Sequence, residues 1–163
     1  MRRLAVLAVA LLLTGGAWAS DKADEGGKKG GGAARVPDTR YVKECGSCHV
    51  PYPPHTLSPL GWQKLMGNLA NHFGDNAELA DADRMPLTSY LMQNASRGKG
   101  IDEVTRITEL AGFTKEHNKI PARLVKDNPG VKSLAQCQAC HPRAAQWAFG
   151  EREIVIPGHG RWE

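Results

Sequence analysis

Two five-residue stretches with the same pattern decide how this sequence is interpreted. They are Cys45-Gly46-Ser47-Cys48-His49 and Cys137-Gln138-Ala139-Cys140-His141. Together they contain all four cysteines of the 163-residue chain and two of its six histidines. Because both pairs have the same spacing and the same following histidine, one chemical explanation has to cover both.

Each stretch matches C-x-x-C-H, the pattern by which c-type haem is attached. The two thiols can each form a thioether with one haem vinyl group, and the next residue then presents its imidazole to the iron. Two disulfides or a four-thiolate zinc site would leave both histidines unexplained. We therefore predict two covalently bound haem c groups. We expect the thioether bonds to come from Cys45, Cys48, Cys137 and Cys140, and we expect His49 and His141 to be iron ligands.

The opposite face of each iron takes a second ligand or stays open, and the ligand type sets the reduction potential. The last methionine is Met92, so a methionine loop downstream of the second motif cannot serve the second haem. Its ligand must come from upstream, or be His159, or be absent. We favour His117, which lies twenty residues before Cys137.

For the first haem we favour His72, which shares the apolar face of a predicted helix. Met85 or Met92 is the alternative, which would give a hybrid protein with methionine ligation at the first haem only. A crossed arrangement, with His117 on the first haem and His72 on the second, is also consistent with the sequence. His55, in a proline-rich loop, is expected at the surface.

The amino-terminal segment has the pattern of an export signal. Arg2 and Arg3 precede the apolar run Leu4–Leu13, and Ala17–Ala19 resembles a cleavage site. We expect residues 1–19 to be a signal peptide rather than an uncleaved anchor. The mature protein would then lie in the periplasm of a Gram-negative bacterium without a membrane span.

Composition predicts the organisation of the remaining chain. Residues 20–35 are rich in glycine and lysine and are expected to form a flexible leader. Residues 36–97 and 98–163 would each form a domain around one haem. Loss of Arg2 and Arg3 lowers the 21 basic residues to 19 against 17 acidic ones, a net charge of +2. This weak charge, without a basic helix, does not suggest a nucleic-acid partner.

The predicted fold is mainly α, with a cytochrome c-like helical domain around the first haem and a smaller, loop-rich segment around the second. Ser58 and Pro59 predict a helix start, as N-cap and first helical residue. Apolar residues then recur at helical spacing as far as Phe73, with Gly74 placed to end the helix.

Three further elements are expected. A second helix should follow Asp83, with Pro86 in its first turn. A third should start near Ser133 and enter the second cysteine pair. Residues Ile154-Val155-Ile156 predict a short strand or an extended tail.

Several pieces of the chain resemble the soluble periplasmic dihaem cytochrome c family. The matching pieces, besides the two cysteine motifs, are Tyr52-Pro53-Pro54, Gly61-Trp62, Leu65–Gly74, Tyr90-Leu91, Asn94-Ala95, Arg106-Ile107-Thr108, Glu116-His117 and Ile156-Pro157. The resemblance covers nearly all of the chain from about residue 40 onward. His72-Phe73-Gly74 is its most specific piece after the cysteine motifs.

The resemblance implies electron transfer with bis-histidine ligation of both haems, and His72 and His117 as the distal ligands. It also implies redox partners, namely a small oxygen-binding monohaem cytochrome and in some relatives a membrane cytochrome b. His55 departs from the expected pattern and adds a potential ligand. The alternative function is a dihaem, peroxidase-like enzyme with one open iron, which would need convergent polar groups around it.

Overall fold

The computed structural model describes residues 37–98, 101 and 103–162, and all of them belong to one compact unit, Ala33–Glu163. The expected signal peptide and the leader up to residue 35 lie outside the described residues. The elements are α1 (Thr39–Cys45), α2 (Pro59–Met66), α3 (Asp81–Gln93), α4 (Ala111–His117), β1 (Val155–Ile156) and β2 (Gly160–Arg161). Short 3₁₀ turns connect them, so the prediction of a mainly helical fold is confirmed.

Helix α1 leads directly into the first cysteine motif. Its N-cap is Asp38, whose carboxylate accepts hydrogen bonds from the backbone N–H groups of Arg40, at 2.9 Å, and Tyr41, at 3.0 Å. These are two of the amide groups that a helix leaves unpaired at its start. The helix ends at Cys45, so its last turn carries the first thiol.

Helix α2 begins as predicted but ends at Met66, about two turns earlier than expected. The Ser58 hydroxyl accepts a hydrogen bond from the Gly61 N–H at 2.9 Å, and Pro59 is the first helical residue. The helix stops at Met66, whereas the sequence predicted helix as far as Phe73. Gly67 and Asn68 follow Met66, and both have low helix propensity. A short 3₁₀ turn, Leu69–Asn71, then buries Leu69.

His72 therefore lies in a tight turn and not on a helix face. It exchanges backbone hydrogen bonds with Asp75, at 2.8 and 3.2 Å. Phe73 and Gly74 connect His72 to Asp75, and their φ values are 58° and 108°, respectively. Two positive φ values in a two-residue connection are typical of a type I′ turn. Gly74 thus serves this turn and does not end α2.

Helix α3 starts earlier than predicted, at Asp81 rather than after Asp83. Asp81 and Asp83 lie in its first turn, where negative charge stabilises a helix. Pro86 consequently lies in the second turn and not in the first. It removes the hydrogen bond that residue 86 would otherwise donate to the carbonyl of residue 82.

The core lies between α2 and α3. Residues that precede α2 and residues from the second half of the chain also contribute to it. Its buried members are Tyr41, Leu57, Trp62, Met66, Leu69, Leu87 and Leu91. Val104, Ile107, Leu110 and Trp147, from the second half of the chain, pack against this cluster. A Cβ atom at Gly61 would lie 2.5 Å from the Val104 carbonyl oxygen, so glycine permits this close approach.

The loop after the first motif, residues 50–54, is held by side chains. Pro51, Pro53 and Pro54 have no N–H, so the loop cannot join a hydrogen-bonded ladder. Each of its five carbonyl groups instead accepts a side-chain hydrogen bond. The donors, in order from residue 50 to residue 54, are His49, Trp147, Tyr41, Thr56 and Trp62, at 2.7, 2.7, 2.7, 2.7 and 2.6 Å.

The second half consists mainly of turns and short elements, as expected. Among its described residues, the helix predicted from Ser133 does not occur. Instead the Ser133 hydroxyl accepts a hydrogen bond from the Ala135 N–H at 3.0 Å, which favours a turn over a helix. Only a 3₁₀ turn, Cys137–Ala139, enters the second motif. The predicted strand is confirmed as β1, which pairs antiparallel with β2.

The β1–β2 hairpin supports the second motif. The Val155 N–H donates to the Cys140 carbonyl at 2.9 Å. The predicted boundary between residues 97 and 98 stays a prediction, although contacts such as that of Trp147 with Pro51 join the two halves. Within residues 37–98 and 103–162, no helix is long and apolar enough to span a bilayer.

Candidate haem sites

The first site is built on the end of α1 and the turn that carries His72. The His49 and His72 imidazole rings face each other with their centres 6.2 Å apart and their planes within 11° of parallel. The Nδ1 atom of His49 lies 2.7 Å from the Val50 carbonyl oxygen. A hydrogen bond donated from Nδ1 leaves the lone pair on Nε2, the atom that then binds a metal.

The second site pairs His141 with His117, the last residue of α4. Their ring centres are 6.4 Å apart, with an angle of 62° between the planes. The Nδ1 atom of His117 lies 2.8 Å from the Phe113 carbonyl oxygen, and the Phe113 ring stacks on the imidazole at 3.8 Å. His117 is therefore fixed in the same way as His49, with Nε2 available.

Both separations fit two imidazoles on opposite sides of one metal ion. Imidazole nitrogen binds a metal such as zinc at about 2.0–2.1 Å, and with about a further 1.1 Å to the ring centre, two opposed rings lie about 6.2–6.4 Å apart. The observed values are 6.2 and 6.4 Å. The two pairs differ in rotation about the common axis, because one is nearly parallel and the other is not.

An apolar cavity of about 360 Å³ lies at the second site, within the roughly 300–1,000 Å³ range of cofactor sites. His117, His141, Cys137 and Cys140 all line it. The rest of the lining is mostly hydrophobic and includes Phe113, Ile120, Leu124, Val131, Leu134 and Ile156. The apolar lining therefore suits a haem ring, and both thiols and both imidazoles of the second site border the same cavity.

Burial disfavours ionisation of three of the four cysteine thiols. All four cysteines are free, without disulfides. Burial, together with the neighbouring Glu44 carboxylate, raises the pKa of Cys45 to about 11. Burial also raises the pKa of Cys137 and Cys140. A raised pKa favours the protonated thiol, whereas zinc binding and disulfide exchange both use the thiolate.

The surroundings of His72 and His141 favour the neutral imidazole. Burial lowers the pKa of His72, and the neighbouring His49 lowers it further. Burial and then His117 lower the pKa of His141. A neutral imidazole has the free lone pair that a metal requires. The Nδ1 atom of His141 is buried without a hydrogen-bond partner among the described residues.

The other candidate ligands have different surroundings. Met85 is 63% exposed, and Met92 packs at the edge of the core. Both line a surface groove between α2 and α3. His159 is exposed and contacts Trp162. His55 is exposed, as predicted, but also lines the cavity of the second site.

Sequence reasoning missed three residues that shape these sites. Tyr52 stacks on His49 at 4.8 Å, and Phe113 stacks on His117. Arg106 lies 4.1 Å from the Phe73 ring centre and so covers the turn that carries His72. All three lie in or beside pieces quoted above for the family resemblance, but their contacts depend on the tertiary fold.

Comparison with known proteins matches this geometry. The model of the family "Dihaem cytochrome c" matches residues 41–149. A crystal structure of a dihaem c-type cytochrome from Shewanella baltica OS155 is 42% identical, with a TM-score of 0.71. It aligns with 78% of this chain and all of its own. A dihaem cytochrome c from Rhodobacter sphaeroides is 36% identical over 70% of this chain and 98% of its own, with a TM-score of 0.62.

A comparison with curated protein sequences found no match. The family match covers more than half of the chain and includes both cysteine motifs. The folds and the identities agree with it over nearly the full length of the related structures. The chain therefore belongs to the dihaem cytochrome c family and binds two haem c groups, and its four cysteines are consistent with C-x-x-C-H attachment.

Proposed function

We propose that this protein is an electron carrier in which two histidines ligate each iron. His49 and His72 would hold the first iron, and His141 and His117 the second. One observation carries the proposal: each motif histidine has a second imidazole facing it, with ring centres 6.2 and 6.4 Å apart. This pairing favours the uncrossed arrangement and favours His72 over the exposed Met85.

Haem supplies a reversible one-electron change at its iron, and the chain's residues set the conditions for it. The carbonyl groups of Val50 and Phe113 orient His49 and His117 through their Nδ1 atoms. Two histidine ligands on each iron would leave no open site for a substrate or for oxygen. Electron transfer is therefore favoured over the peroxidase-like alternative.

We also propose that the protein works in the periplasm, as its export signal indicates. Its partners would be those implied by the family resemblance: a small oxygen-binding monohaem cytochrome and, as in some relatives, a membrane cytochrome b. Redox encounters of this kind use small, weak interfaces. The net charge of +2 expected after removal of residues 1–19 gives such encounters little long-range steering.

The test is to remove each proposed distal ligand separately. In the haem-loaded protein, His72→Ala and His117→Ala should each convert one haem from low spin to high spin and leave the other unchanged. His159→Ala is the matched control, because His159 is exposed and lies in the β1–β2 turn. If either distal variant keeps two low-spin haems, that ligand assignment is wrong.

A further inference from the structure

Tyr52 is the one side chain that the described contacts join to both haem sites. On one side, its ring stacks on the His49 imidazole, with centres 4.8 Å apart and an angle of 25° between the planes. Together with the bond from Nδ1 to the Val50 carbonyl, this stack restricts rotation of the imidazole about its own axis. The orientation of a ligand imidazole is one of the features by which a protein tunes a haem.

On the other side, Tyr52 reaches the second motif. Its hydroxyl group donates a hydrogen bond to the carbonyl oxygen of Ala135 at 2.8 Å, across 83 positions of sequence. Ala135 precedes Cys137 by two residues, and Tyr52 lines the cavity at the second site together with that cysteine. The same side chain thus contacts a proposed ligand of the first iron and the segment that attaches the second haem.

Hydrogen bonds from two other side chains fix the backbone at Tyr52. Its carbonyl oxygen accepts a hydrogen bond from the buried Tyr41 hydroxyl at 2.7 Å. The preceding carbonyl, of Pro51, accepts one from the Trp147 indole at 2.7 Å. Neighbouring prolines restrict the backbone further. The backbone that carries the ring is therefore held in place, and rotation of the ring would break the hydrogen bond from its hydroxyl group to Ala135.

We propose that Tyr52 is a positioning residue shared by the two haem sites, whose ring orients His49 and whose hydroxyl group fixes the Cys137 segment. The proposal rests on the bis-histidine ligation proposed above. It predicts that the ring and the hydroxyl group can be separated experimentally. Loss of the ring affects both sites, whereas loss of the hydroxyl group alone affects only the second.

The experiment compares three haem-loaded variants by low-temperature EPR of the oxidised protein. The EPR signals of the two haems are first assigned with His72→Ala and His117→Ala. Tyr52→Phe keeps the stack on His49 and should shift only the signal of the second haem. Tyr52→Leu should shift both signals. Tyr90→Phe removes a tyrosine hydroxyl that contacts the Asp38 N–H at the start of α1 and not the residue 50–54 loop, so it should shift neither.

The outcomes separate this proposal from the proposed function. A wild-type protein without two low-spin signals overturns the bis-histidine assignment and, with it, this inference. Two low-spin signals in the wild type, combined with a Tyr52→Leu spectrum like that of Tyr90→Phe, overturn only the role of Tyr52. If Tyr52→Leu does not fold, Tyr52→Phe decides alone: an unchanged second signal, or a shift of the first signal, contradicts the proposal.

Discussion

At the scale of single residues, each site depends on how an imidazole is held. His49 and His117 are oriented by backbone carbonyls one and four residues away along the chain. His72 is placed by the tight turn through Phe73 and Gly74. Phe73 adopts a positive φ, which is unfavourable for a non-glycine residue. The cation–π contact with Arg106 offsets part of that cost.

The turn gives the first prediction. Gly74→Ala should lower the free energy of unfolding by about 1–3 kcal/mol, because a side chain is strained at a φ of 108° although nothing lies near its Cβ position. Gly150→Ala is the control, since Gly150 also has open space but a φ of −65°. Urea denaturation followed by circular dichroism measures both. Equal stability of the two variants would contradict the strained-turn account.

Tyr41 gives a prediction on pH dependence. Burial raises the pKa of Tyr41 well above its usual value of about 10, so the folded protein keeps this phenol protonated where the unfolded chain ionises. The stabilisation is complete below about pH 10 and is lost as the pH rises further. Tyr41→Phe should lower the free energy of unfolding by about 0.5–1.5 kcal/mol near neutral pH.

Above about pH 10, the stability of Tyr41→Phe should fall less steeply than that of the wild type, because the variant has no phenol to ionise at this position. Denaturation curves at several pH values test this difference in slope. Parallel losses of stability in the two proteins would show that the Tyr41 hydroxyl does not remain protonated in the fold.

At the scale of elements, the sequence supports predictions that rest on local chemistry. The two cysteine motifs, the Ser58–Pro59 helix start and the strand at residues 155–156 follow from residue type and spacing alone. The end of α2 does not, because a helical pattern of apolar residues continues past Gly67 while the chain turns. Neither the type I′ turn at His72 nor the approach of His117 to His141 is encoded locally.

Helix α1 gives the element-scale prediction. Asp38→Ala should lower the free energy of unfolding by about 0.5–2 kcal/mol, because its carboxylate caps two amide groups at the start of the helix. Asp127→Ala, at an exposed turn position, should stay within about 0.5 kcal/mol of the wild type. Thermal unfolding compares the two. Similar losses in both variants would argue against the capping role.

At the scale of the whole molecule, the residue 50–54 loop and the α2–α3 core join both haem sites into one structure. Trp147, beyond the second motif, donates to Pro51 and packs against the core. Tyr52 reaches the segment before Cys137. Two histidine pairs are thus set in one framework, nearly parallel in the first and rotated by 62° in the second. We expect the two haems to be spectroscopically distinct for this reason.

The central claim is that each iron lies between two imidazoles. Low-temperature EPR with near-infrared magnetic circular dichroism of the oxidised protein tests it most directly. We predict two different low-spin ferric signals, since ligand planes that are parallel or rotated split the iron d orbitals differently, and no sulfur-to-iron charge-transfer band. A charge-transfer band from methionine, or a high-spin ferric signal in the intact protein, would contradict the account.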